Sequence, residues 1–221
     1  MFRWLFAAFA LAVMITVVAV ALPIYREHQA ARKWEQLGGN IMWSDFADRL
    51  KHPHDNSLRR KVQSLFQHVA VADRTRSDHA IRELLPIIVD FRNLHVLWLT
   101  QTQVSAEELR QLAVVQPDLK SLGLEMCFVT DDGLREISQL DDLTELRISG
   151  AEITDAGLLH LQGLQNLEVL SLVSTEITNE GLWHLRTLKK LRQLDLSNTL
   201  ITDEGVERLR AEIPSLEVWD D

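Results

Sequence analysis

The stretch ITDAGLLHLQGLQN occupies residues 153–166, and ITNEGLWHLRTLKK occupies residues 177–190. They start 24 residues apart and share Ile, Thr, Gly, Leu, His and Leu at matching places. A fixed period of this length marks a stacked-repeat architecture and precedes any search for a site.

Aligned on the Leu that opens each copy, units begin at Leu94, Leu119, Leu143, Leu167, Leu191 and Leu216. The steps are 25, 24, 24, 24 and 25 residues, and the longer two contain Pro117 and Pro214 just before the next unit. A worn copy is placed at Phe66, with an insertion of four residues.

Each unit opens L-x-x-L-x-L, so Leu146 and Ile148, two apart, share one face of a strand. Thr154 then caps a helix, and Ile153 with Leu158 has the spacing of a hydrophobic staple. Ser105 with Glu108 forms a capping box in the unit at Leu94. Leu158, Leu161 and Leu164 make the inner stripe of the helix. A unit of strand, turn and helix cannot bury its apolar face alone, whereas stacked copies share one core. The register predicts parallel strands near 96–99, 121–124, 145–148, 169–172, 193–196 and 216–219.

The pattern LxxLxLxxT/CxITDxGLxxLxxL resembles the leucine-rich repeat, in the cysteine-containing variety close to the ribonuclease-inhibitor type. Cys127 stands where that variety often has Cys, and Thr102, Ala151, Thr175 and Thr199 replace it elsewhere. The resemblance covers residues 66–221 and implies an α/β, right-handed solenoid with parallel strands on the concave side and helices on the convex side. The layout also resembles bacterial membrane-anchored leucine-rich repeat proteins, with an apolar N-terminal segment and a short helix ending in Leu37-Gly38-Gly39. That group implies binding rather than catalysis, with the repeats outside the cytoplasm.

Residues 4–25 form an apolar run of 22 residues without a charge, long enough for a transmembrane helix. Trp4 and Tyr25 sit at its ends, where aromatic rings favour the membrane interface. Ala19-Val20-Ala21 offers the alternative of a cleaved signal peptide. The division expected is an anchor over 1–25, a juxtamembrane helical linker over 26–65 and repeats over 66–221. Arg26, Arg32 and Lys33 against Arg3 favour a cytoplasmic repeat domain, opposite to the placement the resemblance implies.

The net charge of −9 is unevenly spread. Residues 1–93 hold 13 Lys/Arg against 9 Asp/Glu, and residues 94–221 hold 10 against 23. Such an acidic module repels phosphate backbones, which excludes nucleic acid as a natural partner.

No nucleophile elbow, phosphate loop or paired-carboxylate motif is present, so no enzymatic activity and no cofactor are expected. His52, His54 and Asp55 surround Pro53 in a loop without further ligands at metal spacing. His160 and His184 share one offset on the helical side and read as packing residues, and Cys127 as a small core filler.

The outward positions of the strands remain as the candidate binding surface. The central one runs Ala70, Trp98, Gly123, Arg147, Ser171, Asp195 and Asp220, and the next outward position holds Ala72, Thr100, Glu125, Ser149, Val173 and Ser197. Trp98, Glu125, Arg147, Ser171 and Asp195 are the candidate protein-binding residues, an aromatic anchor among polar marks. Trp98 has the second reading of a cap on the first unit. The function expected is a membrane-anchored scaffold for a protein or peptide ligand. Eukaryotic F-box proteins use similar repeats to select ubiquitination targets, but residues 26–65 carry nothing like an F-box. A structural envelope protein without a specific ligand is the third reading.

Overall fold

The computed structural model describes Leu22 and residues 25–43, 69–74, 81–91 and 94–220. The predicted anchor lies outside these residues except for its last few positions, and His52, His54 and Asp55 lie outside them altogether. Among the described residues no helix is long and apolar enough to cross a membrane.

Among the described residues, eight strands form one sheet in chain order. They are β1 (Asn40–Trp43), β2 (Val69–Arg74), β3 (Val96–Thr100), β4 (Ser121–Glu125), β5 (Glu145–Ser149), β6 (Val169–Val173), β7 (Gln193–Asp195) and β8 (Glu217–Trp219). Neighbours from β2 to β8 pair in parallel, and β1 pairs with β2 antiparallel. Parallel neighbours need a crossover between them. Here α2 (Ile81–Ile88), α3 (Ala106–Val115), α4 (Asp131–Ile137), α5 (Asp155–Leu158), α6 (Asn179–Leu182) and α7 (Asp203–Glu212) supply it. A further helix, α1, covers residues 25–36. The predicted α/β solenoid is the observed architecture.

Alternation within the strands sorts the faces as the repeat demands. Leu97, Leu122, Leu146, Leu170 and Leu194 are fully buried and stand side by side in register. Burying one such Leu is worth roughly 1.5–3 kcal/mol against leaving it exposed. The continuous column therefore makes each unit depend on its neighbours.

The spacing of the buried residues goes with helix type in four units, whereas the 24-residue unit at Leu119 keeps an α-helix over Asp131–Ile137. In the unit at Leu143 the buried residues Leu158, Leu161, Leu164 and Leu167 fall at steps of three. A 3₁₀ helix repeats every three residues, and α5 accordingly tightens into a 3₁₀ turn over Leu159–Gly163. The same happens after α6 over Trp183–Thr187. The units at Leu94 and Leu191 carry one residue more and bury Leu109, Leu112, Gln116 and Val206, Leu209, Ile213. The step of four inside each set suits an α-helix, and α3 and α7 are α-helical over ten residues.

Two positions of the sequence reading need correction, both at the ends of the repeat array. Asp73, not Ala70, pairs with Trp98, and Ala72 pairs with Leu97. The first unit therefore starts at Val69 and has the usual length, with no insertion before the next strand. At the other end Trp219, not Asp220, pairs with Asp195, because Val218 takes the place opposite Leu194. Counting L-x-x-L from Leu216 would turn Trp219 inward, where the units at Leu94 to Leu191 each place a Leu. A one-residue change of register exchanges the two faces of a strand. Trp219 stays 48 % exposed.

The caps follow the sequence. Ser105 and Glu108 make the reciprocal capping box, and Thr154 and Thr178 accept from the backbone N–H two residues on. Helix α1 stops at Gly38, whose φ of 88° suits glycine. The neighbouring Gly39 is needed for space, since a Cβ there would run into the indole of Trp34. Trp34, Ala30 and Ala31 are buried in the same core as the repeats, and Trp34 meets Phe91 edge-on at 6.0 Å between ring centroids. Helix α1 and β1 thus cover the first unit of the array, joining to it residues that the sequence alone assigns to a linker.

Candidate functional site: the outward face of the sheet

The side chains of β3 to β8 that point away from the core form a continuous polar surface. Its central row, in register, is Trp98, Gly123, Arg147, Ser171, Asp195 and Trp219. Thr100, Glu125, Ser149 and Val173 form the adjoining row. The row on the other side starts with Val96, Ser121 and Glu145.

Trp98 is held rather than free. Its Nε1 donates to Ser121 Oγ at 2.9 Å. The Ser121 hydroxyl donates to Glu145 Oε2 at 2.9 Å, and Arg147 Nε donates to Glu145 Oε1 at 2.6 Å. One chain of hydrogen bonds therefore crosses three strands, from an indole to a guanidinium. Gly123 makes room for it, since a Cβ at that position would stand 2.9 Å from Trp98 Cδ1. The indole covers Ser121, which is buried, while Trp98 itself is 40 % exposed. The Arg147 side chain is 44 % exposed. An aromatic plate and a cation are thus presented side by side in a fixed geometry, with little rotamer freedom left to lose on binding.

The other candidates fall outside this chain. Glu125 is exposed in the adjoining row. Ser171 is only 8 % exposed, a recess between Arg147 and Asp195. Asp195 turns to its own strand exit, accepting from the Ser197 backbone N–H at 3.1 Å and hydroxyl at 2.7 Å. Ser121 and Glu145, which the sequence reading did not single out, are the links between Trp98 and Arg147. Their signal was present in the first outward position of L-x-x-L, two residues before Gly123 and Arg147. Trp219 escaped notice through the register change at the last unit.

The remaining candidates have structural surroundings. Cys127 is buried, and its Sγ faces the Leu99 and Glu125 carbonyl oxygens at 3.4 Å. Loss of hydration pushes its thiol up to about 11. Thr175 and Thr199, at the same offset, donate to Leu172 and Leu196 carbonyls. His184 pairs with Gln162 at 3.2 Å through Nδ1. Among the described residues no group of three or more His, Cys, Asp or Glu is arranged to hold a metal ion.

Residues 142–161, 163–182 and 184–209 match the leucine-rich repeat family model. The chain carries leucine-rich repeats over these residues. No curated protein aligns with it significantly. Among solved structures, a leucine-rich repeat protein of Leptospira interrogans is 25% identical, with a TM-score of 0.45 over 60% of this chain and 32% of that one. The internalin InlF of Listeria monocytogenes is 22% identical, with a TM-score of 0.44 over 61% of this chain and 43% of its own. Internalin C2 of the same organism is 17% identical, with a TM-score of 0.43 over 69% of this chain and 81% of its own. The chain thus spans less than half the length of the first two. Leucine-rich repeats suggest a scaffold for protein interaction and are typically without enzymatic activity.

Proposed function

We propose that the protein is a membrane-anchored scaffold whose concave sheet face binds a protein or peptide, with the repeats on the extracytoplasmic side. Strands stack about 4.8 Å apart while packed helices need about 8–10 Å, which puts the sheet on the inside of the curve. The observation that carries the reading is the chain Trp98–Ser121–Glu145–Arg147. A half-exposed indole fixed beside a half-exposed guanidinium has the composition of an interface hot spot, where Trp and Arg are enriched. Glu125 and Asp195 add register marks at the edges of the patch, and Ser171 leaves a recess between the cation and Asp195. The anchor is supported by the uncharged run over residues 4–25.

The test compares capture from detergent-solubilised membranes by the full chain and by two variants. Trp98→Ala and Arg147→Glu should each lose the same specific partner while unfolding at the wild-type denaturant midpoint. Arg110→Gln on α3 should retain it, because the exposed Arg110–Glu107 pair lies on the helical side. Arg186 is unsuited as that control, since its guanidinium lies 4.9 Å from the centroid of Trp183, which Arg208 also covers at 4.0 Å. Loss of the partner in Arg110→Gln, with retention in both sheet variants, excludes the sheet face.

A further inference from the structure

Helix α1 does more than cover the first unit. Its inner side, Ala30, Ala31 and Trp34, is locked into the core. Its outer side and the end of α2 enclose a groove of about 670 Å³, lined chiefly by Arg26, Gln29, Arg32, Lys33, Gln36 and Asp90. Three cations face one carboxylate there. Arg26 is engaged with that carboxylate, at 2.8 Å from Asp90 Oδ1. Arg32 and Lys33 are exposed and form no ion pair among the described residues. This concentration of positive charge belongs to a molecule whose residues 94–221 carry 23 acidic side chains against 10 basic ones.

Its position is as telling as its charge. The uncharged run ends at Tyr25, which lies in α1. With a rise of about 1.5 Å per residue, Lys33 stands roughly 12 Å along the helix from that end. That is within reach of the headgroup layer for a long flexible side chain. Each Lys or Arg beside an anionic bilayer adds to the attraction between them. The acidic repeats would otherwise be repelled by the same surface.

We propose that the groove between α1 and α2 binds the phosphate of an anionic phospholipid in the bilayer that holds residues 4–25. Arg32 and Lys33 supply the free cations, Gln36 supplies hydrogen bonds, Gln29 holds the Tyr25 hydroxyl at 2.8 Å, and the Arg26–Asp90 pair closes one side. Because α1 is fixed to the repeats through Trp34, this contact sets the angle at which the whole array stands on the membrane. The proposal rests on the anchored reading, and the experiment separates the two.

Glu35, exposed on α1 outside the groove, is replaced by Cys in the full chain and labelled with a fluorophore; buried Cys127 stays unlabelled. The chain is reconstituted into phosphatidylcholine vesicles with or without phosphatidylglycerol, each carrying a headgroup-attached quencher. Phosphatidylglycerol should increase quenching several-fold. High salt or the double change Arg32→Gln, Lys33→Gln should abolish that increase, with the variant melting as the wild type does. Equal quenching in both vesicles, or an increase that survives the double change, overturns the groove. Loss of the increase to inorganic phosphate at constant ionic strength also overturns it, because the ligand is then a free anion. Release of the chain from phosphatidylcholine vesicles by carbonate refutes the anchor alone. Sedimentation with phosphatidylglycerol vesicles then reads the groove: binding lost in the double variant supports it, and no binding overturns it.

Discussion

Asp131 accepts two hydrogen bonds from Thr154 of the next repeat, one from its backbone N–H at 2.9 Å and one from its hydroxyl at 2.7 Å. Asp155 does the same for Thr178, at 2.7 Å each. Asn179 serves Thr202 with its amide, accepting from the backbone N–H and donating to the hydroxyl. The helix starts of the units at Leu143, Leu167 and Leu191 are thus each tied to that of the unit before. A Cβ at Gly157, Gly181 or Gly205 would strike the Asp131, Asp155 or Asn179 side chain. The repeated phrase Thr-Asp/Asn-x-Gly therefore has one physical meaning: the Asp or Asn of one copy reaches the Thr of the next, over its Gly.

This ladder predicts a measurable coupling. Asp131→Ala should cost about 1–3 kcal/mol, the range for losing hydrogen bonds to a charged acceptor. Gly157→Ala should cost a similar amount through overpacking, about 1–3 kcal/mol. In the double variant the added methyl no longer meets a carboxylate, so the loss should be smaller than the sum of the two. Strict additivity in urea unfolding would falsify the ladder as the reason for the glycine.

Leu170→Asp tests the inward column. Leu170 is fully buried between Leu146 and Leu194 in neighbouring strands. A charge there has no partner and no water, and the substitution should remove cooperative unfolding of the repeats altogether. A melting curve like that of the wild type would mean that the two faces of β6 are exchanged.

Cys127 links burial to pH. Its thiol is raised from the ordinary 9.0 to about 11 by loss of hydration. Below about pH 9 both folded and unfolded chains keep the proton, and the full contribution to stability is present. Between about pH 9 and 11 the unfolded chain releases it first, so stability falls as pH rises. The urea midpoint should drop less over this window in Cys127→Ala than in the wild type. Native protein should also resist thiol-specific reagents near neutral pH until denaturant is added.

Residues 1–25 should hold the chain in the membrane. Carbonate washing should leave the full-length protein in the pellet. A soluble mature chain starting near Leu22 would instead favour the signal-peptide alternative.

The sheet ladder divides the candidate residues by how they were reached. Trp98 and Arg147 were legible as outward positions because alternation along a strand is a property of the local chain. Their connection was not, since Ser121 and Glu145 join them only after β3, β4 and β5 are paired.

The period, the identity of the inward residues and the strands from β3 to β7 were readable from the chain alone. Each of these follows from spacing within one unit of about 24 residues, and five near-complete copies repeat it. Tertiary structure decided what happens between units and at their ends. It set Asp73 opposite Trp98 and Trp219 opposite Asp195, where worn or altered motifs gave no sound count. It docked α1 against Phe91, and placed Gln116 in the core with its amide on the Ile88 and Phe91 carbonyls. These relations join side chains about a repeat or more apart in the chain. Backbone hydrogen bonding between strands fixes their distance, and no property of a single unit carries that information.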